Sequence, residues 1–355
     1  MNGRRAEDRI EEFFDCRGEL KDSSSFYVFD PDNSFTYIFK PTKEGISLLI
    51  NRIRGPGIRR HIAVTAFKSG TYAPSALRAL PGVSKTTLSV PADGLDLVIA
   101  SHRQIKLLAP KRGIAATIGW PSESRVSNEI GIRRTLPDDI NHPRLLDVDE
   151  SFPYFVSEFV KGGSIDNPVK NWKYIQDGLR QLRSLYLHGS LDFINKETVI
   201  DEIRTDLCDL RDDPVIREHL MKIDSLRLPE QFGQSMTHGD YHGGNLRITP
   251  EKEVYILDWE HADRHYLYRD FILAFLQWAR YGGTAERLDD LLKDSRPGKC
   301  IGVQYANTLG DLAWDEKTWY SDVIQLGLLR ELVVRSRDGA NWDQTYNVLK
   351  KMTAG

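Results

Sequence analysis

Apolar positions change texture along the chain, and each texture predicts a different kind of element. Near the start, Ile10, Phe13 and Phe14 fall on one helical stripe. FYVFD (26–30) and FTYIFK (35–40) are short strand-like runs, and Pro31-Asp32-Asn33-Ser34 between them predicts a hairpin with a four-residue turn. Ile46, Leu49, Ile50 and Ile53 return to helical spacing. From RGPGIRR to Gly94, Ser, Pro and Gly recur, which predicts a loop-rich joint with no core element. From about 96 short strands follow: LDLVIAS, RQIKLLAP and GIAATIGW, with Pro110–Gly113 separating the last two. A helix is expected at about 123–136 with Val126 and Ile130 inward. After Asn141-His142-Pro143 come two more strands, RLLDVD and YFVSEFV, and Gly162-Gly163 then breaks the chain.

Beyond 163 the pattern is helical. Trp172, Ile175, Leu179, Leu182 and Leu185 recur at helical spacing, as do Val199, Ile200, Ile203, Leu207 and Leu210, and later Val323, Leu329, Leu332 and Val333. The exception is 236–260, where a polar, Gly-rich loop precedes the strand VYILDW. The expected division is an N-terminal extension over 1–95, a β-rich lobe over 96–161 and a helical lobe over 162–355. No repeat or low-complexity tract interrupts it.

The 355 residues are 40% hydrophobic and 28% charged, enough to bury a substantial core. Forty-eight Lys+Arg against fifty-one Asp+Glu give a net charge of −3, so neither a nucleic-acid partner nor an acidic tail is indicated. Cys16, Cys208 and Cys300 are few and far apart, which argues against a disulfide framework or zinc cluster and fits a reducing, cytoplasmic setting. The charged start MNGRRAEDRIEEFF lacks the apolar run of a signal peptide. The longest apolar runs, such as FILAFL (271–276), are far short of the roughly 18–20 residues of a membrane span.

The chemistry concentrates in MTHGDYHGGNLRITPEKEVYILDWEHA, residues 236–262. Asp240 and Asn245 stand five apart across a loop with two glycines, and Asp258 closes a strand returning from a turn at Thr249–Glu253. That stretch can gather a base and two oxygen donors at one point. Magnesium takes hard oxygen ligands and keeps open positions for phosphate oxygens. Phosphoryl transfer needs a carboxylate at the acceptor hydroxyl and metal held by Asp and Asn. Asp, Asn and Gly are also ordinary turn formers; a turn alone, however, does not require the next strand to end in Asp.

HGDYHGGN followed by ILDWE resembles the aminoglycoside phosphotransferase/choline kinase family, and order and spacing resemble it over about 96–280. The resemblance implies an α+β, two-lobed, protein-kinase-like fold with a β-rich N-terminal lobe, a helical C-terminal lobe and an N-terminal α/β extension. It implies an enzyme that uses ATP or GTP and Mg2+ to phosphorylate a hydroxyl of a small molecule, such as a sugar, amino alcohol or aminoglycoside. Asp240 would be the catalytic base, Asn245 and Asp258 the metal ligands, and His238 a brace for the loop. Asp270, in RDFILAFL, would anchor the catalytic loop from the next helix. His242, Glu260 and His261, in or beside the motif, are candidate acceptor contacts.

Upstream, RVSNEIGIRR puts Glu129 in the slot of the helix Glu that pairs with a phosphate-gripping strand Lys; an ordinary pair with Arg133 is the alternative. YFVSEFVKGGS resembles the linker between lobes, where backbone groups of Glu158 to Val160 would meet the base. The departure is the strand Lys. GIAATIGW should carry it near Thr117 and has none. Lys106 on the preceding strand and Lys111 in the turn are the nearest replacements, and Lys40, followed by Glu44, offers another register. The missing Lys favours a rival reading, a non-catalytic nucleotide-binding module; nucleotidyl transfer on the same fold is a third. His188, His219, Trp278, Trp314 and Trp319 read as surface or core residues, and RIRGPGIRRH (52–61) as a solvated basic face.

Overall fold

A computed structural model describes residues 3–353 except 20–21, 30–34, 53–76, 78–82, 92–94, 102, 121–123, 166–170, 283–319 and 338–342. The expected turn at Pro31–Ser34, most of the basic stretch 52–61, Trp314 and Trp319 lie outside the described residues, as does the side chain of Trp278. The chain divides into two compact units, Met1–Arg134 with Pro143–Lys161, and Thr135–His142 with Gly162–Gly355.

The first unit is built on one antiparallel sheet of eight strands. Its elements are α1 (Gly3–Cys16), β1 (Asp22–Phe29), β2 (Thr36–Phe39), α2 (Lys43–Arg52), β3 (Val83–Val90), β4 (Leu97–Ala100), β5 (Gln104–Ala109), β6 (Ile114–Gly119), α3 (Arg125–Arg133), β7 (Leu145–Asp149) and β8 (Tyr154–Glu158). The strand order is β3-β1-β2-β4-β5-β6-β8-β7. Period-2 alternation splits the side chains between two faces. Ile105 and Leu107 of β5 and Ala116 and Ile118 of β6 pack under Ile10, Phe13 and Phe14 of α1. Leu97 and Leu108 pack on the other side with Ile46 and Leu49 of α2. Val126 and Ile130 of α3 pack on Phe155 of β8.

The extension is thus part of the sheet, and one expectation is corrected. The stretch to Gly94 contains β3, paired with β1 through eight registers from Asp22↔Val90 to Phe29↔Val83. The sequence hides it because VSKTTLSV buries only Leu88 and Val90, while its remaining side chains are Val, Ser, Lys and Thr. Ladder hydrogen bonds need extended backbone, which β-branched Thr and Val favour without an apolar face.

The second unit runs through β9 (Gly163–Ser164), α4 (Trp172–His188), β10 (Asp192–Asn195), α5 (Lys196–Asp206), α6 (Pro214–Lys222), β11 (Gln231–Thr237), β12 (Leu246–Ile248), β13 (Val254–Ile256), β14 (Asp263–Tyr266), α7 (Tyr268–Gly282), α8 (Tyr320–Arg337) and α9 (Asp343–Thr353). Asp213 caps α6 by accepting from Val215 and Ile216 N–H groups, and Pro214 opens the helix. The core gathers Val199, Ile203 and Leu329 from the stripes expected, together with Ile216, Phe232 and Ile272 from outside them. Two three-stranded sheets, β10-β11-β14 and β13-β12-β9, hold the segment that carries the chemistry. Among the described residues, no helix is long and apolar enough to cross a membrane.

Candidate active site

Strand β11 delivers the chain into the loop 238–245, and α7 fixes where that loop starts. Asp270, fully buried, accepts from the His238 N–H at 2.8 Å, the Gly239 N–H at 2.9 Å and the Tyr186 hydroxyl at 3.0 Å. A carboxylate with three donors holds the loop entrance from two directions. Gly239 then turns the chain at φ +77°, where a Cβ would lie 2.0 Å from the His261 carbonyl oxygen. Only glycine fits there, both for its backbone angle and for the close approach.

His238 ties the two halves of the site together. Its Nδ1 accepts from the Asp240 N–H at 3.3 Å, so Nε2 carries the proton and donates to the Leu257 carbonyl at 2.9 Å. Its ring sits edge-on to Trp259 with centroids 4.6 Å apart. Burial lowers its pKa, although Asp270 and the neighbouring carboxylates act the other way. The ring is therefore a neutral brace between the residue that precedes Asp258 and the backbone of Asp240.

Asn245 is bound to the same carboxylate it was expected to accompany. Its Nδ2 donates to Asp240 Oδ2 at 2.9 Å and to the Asp240 carbonyl at 3.0 Å. The side-chain oxygen of Asn245 is then the atom it can offer to a cation. Its carbonyl accepts from the Leu257 N–H at 2.8 Å, which continues the Leu246↔Ile256 register and brings Asp258 to the same end of the hairpin. Asp258 adopts φ 68°, ψ 64°, a left-handed conformation unusual for a residue with a side chain.

His242 accepts the Gly244 N–H on Nδ1 at 3.0 Å and places Nε2 3.4 Å from Asp240 Oδ2. Burial alone would raise the Asp240 carboxyl. His242, by charge and hydrogen bond, together with His261, outweighs that and holds it well below the usual carboxylate range. Asp240 keeps a side chain 36% exposed, so an acceptor can reach it. Its hydrogen bonds fall on Oδ2, which leaves Oδ1 to meet a hydroxyl. Glu260 and His261 pair at 3.3 Å just beyond Asp258.

A divalent metal fits this donor set only in company. Among the described residues no group of three His, Cys, Asp or Glu side chains could hold an ion. One carboxylate and one amide oxygen at a hairpin end leave most positions of a six-coordinate hard cation to phosphate oxygens and water.

In the first unit, Glu129 is 3% exposed and makes the i,i+4 pair with Arg133, at 3.5 Å. Glu158 pairs with Arg144 at 3.1 Å. The N–H groups of Glu158 and Phe159 bind the Arg144 and Gly113 carbonyls, so Val160 is the first residue past the ladder. Lys106 is half-buried on β5 and Lys111 exposed in the turn that follows it.

Three contributors escape a reading of the sequence. Tyr241, fully buried, donates its hydroxyl to the Ile175 carbonyl at 2.6 Å. Gly178 makes room for it, since a Cβ there would lie 2.2 Å from that oxygen. Tyr186 reaches Asp270 from α4. A glycine inside the otherwise regular stripe of α4 is the one local signal of this contact, because glycine costs a helix about 1 kcal/mol relative to Ala.

Residues 123–298 match the model of a family described as the phosphotransferase enzyme family. The match contains both HGDYHGGN and ILDWE, and the α+β architecture is the one the resemblance implies. No curated protein is significantly similar to the chain. Among solved structures, choline kinase LicA from Streptococcus pneumoniae is 12% identical, aligned over 73% of this chain and 89% of its own, with a TM-score of 0.44. A thermostable mutant of aminoglycoside phosphotransferase APH(4)-Ia is 13% identical over 71% of this chain and 89% of its own, with a TM-score of 0.45. An aminoglycoside phosphotransferase from Alicyclobacillus acidocaldarius is 13% identical over 74% and 88%, with a TM-score of 0.43.

Proposed function

We infer, for a chain whose residues 123–298 match the model of the phosphotransferase enzyme family, that it transfers the terminal phosphoryl group of ATP or GTP to a hydroxyl of a small molecule, with Mg2+. The observation that carries this is one bond: Asn245 Nδ2 to Asp240 Oδ2 at 2.9 Å, on a loop whose next backbone bond leads to Asp258. It joins the base to one expected metal ligand and aligns the other.

The roles follow from that geometry. Asp240, with its pKa held low, is a weak base. It orients the hydroxyl through Oδ1 and accepts the proton late, as the bond to phosphorus forms, which suits a loose transition state. Asn245 and His242 fix Oδ2 so that the carboxylate does not rotate. Asn245 Oδ1 and the Asp258 carboxylate would hold the metal, which when bound neutralises charge on the phosphate oxygens. His238 and Asp270 hold the loop in that geometry. His242, Glu260 and His261 are assigned to acceptor contact, because both histidines lie close enough to Asp240 to lower its pKa. In the first unit, the Val160 backbone, beside Glu158, would meet the base, and Glu129 would brace a phosphate-binding cation. Free, exposed Cys16 and Cys208 suit a cytoplasmic location.

A second reading has one observation behind it. Thr117 stands where the resemblance places a strand Lys, which favours a nucleotide-binding module without chemistry. A screen of the purified protein with MgATP and MgGTP against sugar, amino-alcohol and aminoglycoside acceptors, read by mass spectrometry, separates the readings. Phosphorylated product supports transfer, nucleotidylated product supports nucleotidyl transfer, and nucleotide binding without product supports the module.

A further inference from the structure

Helix α4 makes two polar contacts that its own ladder does not call for, and each ends on an element of the site. The first is at Ile175. A helical carbonyl ordinarily accepts from the N–H four residues on. Here the Tyr241 hydroxyl donates to the Ile175 carbonyl at 2.6 Å and accepts from the Leu179 N–H, so a side chain of the loop 238–245 joins the helix ladder at that pair. Gly178 leaves the space it enters. Burial, with Asp270 and Asp177 nearby, pushes the Tyr241 pKa well above its ordinary value, so the hydroxyl remains a donor. Tyr241 directly follows Asp240. The second contact is at Gln181. Strand β13 lies at the edge of its sheet, and the Val254 C=O and Ile256 N–H point away from β12, since neither residue belongs to a hydrogen-bonded pair with it. Gln181 Nε2 donates to the Val254 carbonyl at 3.0 Å. The Ile256 N–H donates to the Asn141 carbonyl, and the Asn141 N–H donates to Gln181 Oε1, both at 2.8 Å. Gln181 and Asn141, which belong to the same compact unit as β13, thus stand where a further strand would, two residues before Asp258.

We propose that α4 is the template of the site and that Tyr241 and Gln181 are positioning residues, the first setting the place of Asp240 and the second that of Asp258. The proposal rests on the phosphotransfer reading and names what holds the base and the metal carboxylate at a fixed interval. Ile175 and Gln181 are six residues apart, about 9 Å of helix at about 1.5 Å per residue. A regular helix keeps such an interval, whereas a glycine-containing loop and an edge strand do not keep theirs alone. The loop entrance is tied to the same helix, because Tyr186 donates to Asp270. Between that entrance and Asn245, Tyr241 is the buried hydroxyl that fixes the middle of the loop. On the hairpin, register decides which way each side chain points, and a slip of one residue turns all of them over. Pairing both outward groups of β13 holds that register up to Asp258.

Two substitutions with different kinetic signatures test this. Phosphoryl transfer from MgATP to an acceptor found in the screen is measured with magnesium varied, for the unaltered protein, Tyr241→Phe and Gln181→Met, and melting temperatures are recorded. Tyr241→Phe should lower kcat roughly tenfold to a hundredfold, the scale of a misplaced reacting group, with the KM for MgATP and the magnesium requirement unchanged. Gln181→Met should raise the magnesium concentration for half-maximal rate roughly tenfold, a weakening of metal binding by about 1.4 kcal/mol, and its kcat should recover at saturating magnesium. Gly178→Ala gives an independent check. Its Cβ would lie 2.2 Å from the Tyr241 hydroxyl, so it should slow transfer as Tyr241→Phe does, and adding it to Tyr241→Phe should cost far less than the two losses combined. Lower melting temperatures with kcat and magnesium requirement unmoved would make both contacts merely structural and overturn the proposal. So would the same kinetic change in both variants, or additive losses for Gly178→Ala and Tyr241→Phe. An unaltered protein that transfers to no acceptor would refute the phosphotransfer reading itself, and this inference with it.

Discussion

Replacing Asp270 by Asn changes one atom in the interior, yet it should cost several kcal/mol and most of the activity. The carboxylate accepts three bonds, from the His238 N–H, the Gly239 N–H and the Tyr186 hydroxyl. An amide has one acceptor oxygen. If it keeps the Oδ2 position, its NH2 faces the Gly239 N–H, and that buried donor is orphaned at a cost of about 1–3 kcal/mol. The two surviving bonds go from charge-assisted to neutral and weaken by about 1 kcal/mol each. The expected total is about 3–5 kcal/mol. His238 and Gly239 lead directly into Asp240, so the loop shifts as well, and about 1 Å of misplacement can cost roughly a hundredfold in rate. Urea unfolding followed by tryptophan fluorescence measures the first effect, as a lower midpoint at unchanged slope. Tyr186→Phe is the internal scale: it removes one bond and leaves two, so it should cost about 1.5–3 kcal/mol. A loss below about 0.5 kcal/mol for Asp270→Asn, the range of an ordinary surface change, would refute the anchoring argument.

Asp258→Ala should abolish the magnesium dependence of nucleotide binding, because it removes the one carboxylate of the donor set; calorimetry with ATP, with and without magnesium, checks it, and an unchanged magnesium effect would remove Asp258 from the metal site. Stability should fall as pH drops below about 6.5. His265 is pushed down to about 3 by burial, with Arg269 and Arg330 adding to it, and burial also lowers His238 and His219. A histidine with a lowered folded pKa binds protons in the unfolded state first, so its contribution is complete above the unfolded value and lost on acidification. For His265 the loss at pH 5 is about 2 kcal/mol, or 1.5 units at about 1.36 kcal/mol each. Melting temperatures across pH 7 to 5 for the unaltered protein and His265→Gln should converge at the acid end; parallel curves would contradict the assignment.

The site was legible because its members sit close together in sequence. Asp240, Asn245 and Asp258 fall within one loop and hairpin, so residue type and spacing suffice to bring them together. Asp270 is visible as an acid opening an apolar helix, although nothing in the sequence shows that it takes three donors. The contacts that position the loop from α4 are another matter. Tyr241 meets Ile175, and Tyr186 meets Asp270, across 66 and 84 residues, and no periodicity encodes such a pairing. The stretch 83–90 was unreadable for a compositional reason: a strand of Ser, Thr and Lys with two buried side chains has the sequence texture of a loop.

The central claim is that Asp240, fixed by Asn245 and His242, receives an acceptor hydroxyl's proton during phosphoryl transfer. Its most direct test is the rate of terminal phosphoryl transfer from MgATP by the unaltered protein and by Asp240→Asn, using an acceptor found in the screen, with melting temperatures recorded alongside. The account predicts a fall of at least roughly a hundredfold, the scale of a lost general base, with a melting temperature close to that of the unaltered protein. Near-normal turnover in a folded Asp240→Asn protein would contradict it.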